Sequence, residues 1–115
     1  MASSTNKEIL GRLMTGIGTL TKLAPEQTKS FLAFNNTVSK PGTLDTKTKE
    51  LIAVALAVGS RCDGCIAVHV NGALKAGAKP EEIGEALAVA VSMGGGPSLV
   101  YASRALEALD EFAKT

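Results

Sequence analysis

Aromatic side chains are scarce in this chain: no tryptophan, one tyrosine and three phenylalanines among 115 residues. Its core has to be built from Ala, Val, Leu and Ile, and small side chains of that kind let helices approach closely. Charge of one sign is missing too. Lys and Arg number 12 against 11 Asp and Glu, a net charge of +1, with the two signs interspersed. No basic field marks a nucleic-acid partner, and no block of like charge marks an interaction tail. The longest apolar run is LIAVALAV, Leu51 to Val58, far short of the ~20 residues a membrane-spanning helix needs, so no membrane partner is expected. The opening segment MASSTNKEILGRLMTG lacks the basic and then apolar pattern of a secretory signal. A cytoplasmic location is the expectation. A purely structural disulfide is disfavoured in that reducing compartment, where two close cysteines are more often metal ligands or redox-active.

What is present is a foldable, helical chain. It is 45% hydrophobic and 20% charged, enough apolar material for a core and the length of one ordinary domain spanning residues 1–115. No segment alternates as a strand would, while helix starts and stops recur. STNKEILGRLMTGIGTL, residues 4–20, sets Ile9, Leu13, Ile17 and Leu20 at helical spacing. Pro25 opens PEQTKSFLAFNNTVS, with Phe31, Leu32 and Phe34 expected inward, and KPG ends it. Asp45 is a candidate N-cap for TKTKELIAVALAVG, closed by Gly59. A fourth helix starts near Cys62 and ends at Ala76. A fifth starts at Pro80, with Glu81 and Glu82 in its first turn, and runs to Met93. GGGP, residues 94–97, is expected as a tight turn before a sixth, SLVYASRALEALDEFAK. The fold class is therefore all-α, about six helices in a compact bundle. LIAVALAV and ALAVAVSM are apolar nearly all round, and such helices are normally buried on every side. One small domain has too few surfaces to cover both, so a homo-oligomer is expected, with residues 83–101 at subunit contacts. Ala88 and Ala90 would then lie on opposite faces of the fifth helix, and Tyr101 would pack at a contact.

The stretch GSRCDGCIAVH holds both cysteines and the only histidine. The link at Gly59–Ser60 is short, so its two helices should run antiparallel. Glu50 lies nine or ten positions before it and His69 nine or ten after, which puts the two level across the pair. Glu50 shares a face with Ala53, Val54 and Ala57, where a carboxylate is expensive unless paired. His69 is one turn beyond Cys65. Cys62 and Cys65 sit at the helix start, ~5–6 Å apart at i, i+3 and close enough to bond, where the helix N-terminus also favours thiolate. The resulting chain of contacts runs from Glu50 to His69 to Cys65 to Cys62. The acid orients the imidazole, the imidazole takes a thiol proton, and the second thiol resolves what forms on the first. Two other readings compete: inert core cysteines, and a metal site, although two Cys and one His fall one ligand short of a structural zinc set. Arg61, just before Cys62, either lowers a thiol pKa or is simply solvated.

At these residues the sequence resembles the alkylhydroperoxidase D-like proteins of the carboxymuconolactone decarboxylase superfamily, whose motif is Glu, eleven residues, Cys-x-x-Cys, three residues, His. Glu50, Cys62, Cys65 and His69 have that spacing, and the likeness covers about residues 44–101. The resemblance implies an all-helical fold and trimers or hexamers. It also implies a peroxidase whose cysteine pair, Cys62 and Cys65, reduces a hydroperoxide, with Glu50 and His69 as the proton relay. No bound cofactor is implied. The pair would be re-reduced by an external dithiol, either a reductant protein or a lipoyl group. The well-studied alkylhydroperoxidase D has a further histidine just before the second cysteine, where this chain has Gly64. The decarboxylase branch generally lacks the cysteine pair. Decarboxylase-like chemistry and a non-catalytic metal-binding or scaffold protein are the alternatives.

Overall fold

The computed structural model describes residues 5–114. Six helices follow one another, and no strand occurs among the described residues: α1 (Asn6–Leu23), α2 (Pro25–Ser39), α3 (Thr46–Gly59), α4 (Asp63–Lys75), α5 (Pro80–Gly94) and α6 (Gly96–Ala113). Their ends are set by local chemistry. Thr5 and Glu8 form a reciprocal cap on α1, each side chain accepting the other's backbone N–H, which satisfies donors that the first helical turn leaves unpaired. Glu111 of α6 adds a long-range cap, accepting from the backbone N–H and side-chain amide of Asn6 at 3.0 and 2.7 Å. Asp45 caps α3 as expected, taking the Thr48 N–H at 2.7 Å. Pro25 and Pro80 open α2 and α5, where a missing N–H costs nothing.

The centre of the bundle is formed by α3, α4, α5 and α6, with α1 laid across α4 and α6. Val54, Val58, Ile66, Val70 and Ile83 are fully buried there, interleaved with Ala57, Ala67, Ala73, Ala102, Ala105 and Ala108. That stripe of alanines is how a core with so few aromatics closes. Only Phe112 among the aromatics is buried, at 8% exposure.

Two sequence expectations need correction. Phe31, Leu32 and Phe34 do not face inward: they are 61, 38 and 65% exposed. The reason is topological, since α2 lies outside the bundle and packs mainly on α1. The GGGP stretch is not a four-residue turn. Helix α5 continues through Gly94 and α6 begins at Gly96, leaving Gly95 alone at φ +70 between them. A side chain at Gly94 would overlap Ser98, which is buried, so the glycine there permits a close approach of the two helices. Gly59 ends α3 as expected, and the left-handed residue that then turns the chain is Arg61, at φ 56. The N–H of Arg61 bonds to the Val58 carbonyl and that of Cys62 to the Ala57 carbonyl, the paired bonds of a helix stop that usually places glycine where Arg61 stands. The corresponding stop after α4 does use glycine, Gly77 at φ 92.

Helices α3 and α5, apolar nearly all round in sequence, each leave a stripe of apolar side chains exposed among the described residues. Ile52 and Leu56 are 46 and 64% exposed, and Val89 and Met93 are 61 and 85% exposed. Ala88 is exposed and Ala90 buried, on different faces as expected.

Candidate dithiol site at the α3–α4 joint

The turn through Ser60, Arg61 and Cys62 folds α4 back along α3, and these two helices make the most extensive contact in the bundle. Cys62 is the N-cap of α4, and its Sγ accepts the Cys65 N–H at 3.2 Å. The two cysteines are joined in a disulfide with their Cα atoms 5.2 Å apart, inside the ordinary span for such a bond. Both side chains are partly accessible.

Antiparallel pairing brings Glu50 and His69 level. Glu50 Oε2 lies 3.3 Å from His69 Nδ1. The Glu50 side chain is 13% exposed and that of His69 31%, so the carboxylate is largely withdrawn from water and needs this partner. With Nδ1 donating to a carboxylate, the free lone pair of the ring is on Nε2.

His69 lines two cavities. One is a small pocket of about 230 Å³ shared with Cys65 and walled by Ala53, Leu56, Ala57 and Ser60. The other is an open groove of about 510 Å³ that contains Glu50 and Gly72 and is bordered by Asn35, Asn36 and Lys75. The imidazole therefore stands between a mostly apolar pocket that reaches a sulfur and an open groove that reaches solvent. The four residues expected from the sequence are brought together in this way. Among the described residues, no three His, Cys, Asp or Glu side chains are grouped so as to hold a metal ion, and no helix is long and apolar enough to cross a membrane. Arg61 is exposed.

A model of the carboxymuconolactone decarboxylase family matches residues 25–108. The chain belongs to the carboxymuconolactone decarboxylase family. A family member of known structure from Legionella pneumophila is 45% identical and superposes with a TM-score of 0.91, covering 94% of this chain and 96% of its own. A second, from Thermotoga maritima, is 32% identical with a TM-score of 0.83, covering 91 and 90% of the two chains, and an involvement in antioxidative response has been suggested for it. An uncharacterized protein of Cupriavidus necator is 41% identical over 93 residues, 81% of this chain and 82% of its own length. The likeness to the Legionella protein thus extends well beyond the motif region of residues 44–101.

One residue of this family member's site was not evident from its motif. Gly72 lies one turn after His69 on α4, directly under the Glu50 carboxylate. A Cβ at Gly72 would overlap Glu50 Oε2 and approach Cδ to 2.9 Å. The glycine makes the space in which the carboxylate rests against the imidazole. Its sequence signal was only a glycine inside a helical pattern, which often has a packing reason.

Proposed function

We propose that this chain is a thiol-dependent, peroxidase-like oxidoreductase that reduces hydroperoxides with Cys62 and Cys65 as the redox pair and Glu50 and His69 as the proton relay. The observation that carries the reading is the placement of His69. Its Nδ1 rests on Glu50, and its ring shares a pocket with Cys65. The base is thus held by an acid on one side and lines the thiol pocket on the other, which supports reading His69 as the base that activates Cys65.

In the reduced protein, His69 takes the proton of Cys65. The thiolate attacks the distal oxygen of the hydroperoxide: a sulfur–oxygen bond forms, the oxygen–oxygen bond breaks, and the leaving alkoxide receives the proton from His69 and departs as alcohol. Cys65 is left as a sulfenic acid. Cys62 attacks that sulfur, the disulfide forms and water leaves. An external dithiol, a reductant protein or a lipoyl group, then returns two electrons and two protons by exchange. Glu50 keeps the ring in the tautomer this cycle uses. The antioxidative role suggested for the Thermotoga relative is in keeping with such chemistry, and the dithiol favours it over decarboxylation, which has no need of a thiol pair.

The working form is proposed to be a cytoplasmic homo-oligomer, trimer or hexamer. Phe31 and Phe34 on α2, Val89 and Met93 on α5 and Leu99 on α6 are all more than half exposed, apolar side chains that subunit contacts would cover. The catalytic proposal is tested by hydroperoxide turnover with candidate dithiol reductants. Wild type is expected to turn over and Cys65→Ser is not; equal rates for the two proteins would refute the role of the pair.

A further inference from the structure

A second polar cluster lies at the start of α4. Asp63 is the first residue of that helix and directly follows Cys62. Arg104, reaching over from α6, places Nη1 3.1 Å from both Asp63 carboxylate oxygens. Its guanidinium lies over the Tyr101 ring, 4.3 Å from the centroid, a stacking that fixes where the cation sits. The peroxide cycle described above uses none of these three residues.

Their position nevertheless bears on it. The thiolate is the reactive form of cysteine, and a carboxylate nearby disfavours it. Asp63 is one residue from Cys62 and two from Cys65. The N-terminus of α4 acts in the opposite sense, because the Cys65 N–H points at Cys62 Sγ and stabilises a negative sulfur there. An unneutralised Asp63 would cancel part of that benefit.

We propose that Arg104 is a positioning residue that acts through Asp63, holding and neutralising this carboxylate so that the reduced cysteine pair keeps its thiolate population. The idea builds on the dithiol reading. Other charged or titratable groups near the pair are Arg61, which precedes Cys62 in the chain, His69, which lines a pocket with Cys65, and Glu50, which is bonded to His69 from α3. Tyr101 lies beneath Arg104 on α6. Helix α1 presents an apolar contact, with Leu13 next to Gly64. Asp63 and Arg104 side chains are 46 and 45% exposed, so solvent screens them, and the effect on the thiolate fraction is about two- to fivefold, the range of exposed ion pairs.

The test is the rate at which reduced protein is alkylated by iodoacetamide, followed for each cysteine by mass spectrometry. The reagent is uncharged, so Arg104 does not steer it. The sulfur displaces iodide, and the rate at neutral pH follows the thiolate fraction. Arg104→Gln is expected to slow alkylation about two- to fivefold, and Arg104→Lys to restore most of the rate. In an Asp63→Asn background, Arg104→Gln should have no effect. Above the titration of both thiols all these proteins should react alike. Wild-type rates in Arg104→Gln at neutral pH would overturn the proposal. So would equal slowing in the Asp63→Asn background, or slowing that persists at high pH. No peroxide enters the assay, so a protein without peroxidase activity would sink the function proposed above and leave this outcome separately readable.

Discussion

Gly72→Ala isolates the geometry of the relay from the stability of the fold. In an ordinary helix interior this change stabilises by about 0.5–1 kcal/mol, because glycine loses more backbone freedom on folding. Here the added Cβ would overlap Glu50 Oε2 and sit 2.9 Å from Cδ. Carbon atoms in contact rest at about 3.5–4.0 Å, and the overlapped Oε2 has further to move than Cδ, so the carboxylate must retreat from α4 by roughly 1 Å or more. His69 is on that same helix, and Oε2 is already 3.3 Å from Nδ1. A retreat of that size takes the pair beyond hydrogen-bond range. A hydrogen bond to a charged group is worth about 1.5–3 kcal/mol, and 1.4 kcal/mol is tenfold in rate. Oxidation of the reduced protein by hydroperoxide, followed in a stopped-flow instrument, should therefore slow about tenfold or more. The helix gain of about 0.5–1 kcal/mol offsets only part of the lost hydrogen bond, so the thermal midpoint should fall modestly while the protein stays folded. Wild-type oxidation rates in a folded Gly72→Ala protein would refute the argument that Glu50 acts by holding His69.

Much of the site was legible because hairpin register is simple arithmetic. Counting outward from Ser60 brings Glu50 and His69 level, and the one-turn spacing of Cys65 and His69 follows from the helical period. The N-cap at Asp45 and the starts at Pro25 and Pro80 were equally visible, since each rests on local chemistry. What the sequence hid depended on more distant partners. Phe31 and Phe34 look like core residues, but only the placement of α2 outside the bundle shows that the described residues leave both more than half exposed. Arg61 carries no sign of a left-handed conformation, because glycine is the usual choice there. The three glycines at 94–96 suggest a loop by propensity, yet packing between Gly94 and Ser98 overrides it. Gly72 gains its meaning only when the carboxylate above it is seen.

Three further outcomes are expected. Within the relay, His69→Ala should slow peroxide oxidation by about 10²–10⁴-fold, the usual value of a general base, and Glu50→Gln by less, about tenfold; unchanged single-turnover rates in both would make the cluster purely structural. Burial pushes the Glu111 pKa up, but hydrogen bonds from the side chain and backbone of Asn6 and the backbone of Lys7 outweigh it and hold the group below its ordinary value of 4.5. A carboxylate held low when folded stabilises fully above its unfolded pKa and loses that contribution as pH falls through the folded one, so acid should lower the melting temperature of wild type more steeply than that of Glu111→Gln, and parallel curves would contradict this. Light scattering should give a mass several times the 11.8 kDa chain, reduced by Met93→Glu; a monomeric wild type would mean that the exposed apolar residues of α2 and α5 serve no assembly.

The central claim is that one chain carries a complete two-electron thiol site, and single-turnover stoichiometry tests it most directly. Fully reduced protein is mixed with one equivalent of an organic hydroperoxide, then alkylated, and its intact mass is recorded beside the alcohol formed. The account predicts one alcohol per chain and loss of both free thiols as a Cys62–Cys65 disulfide, restored by a dithiol. Unconsumed peroxide with both thiols still free to alkylate would contradict it.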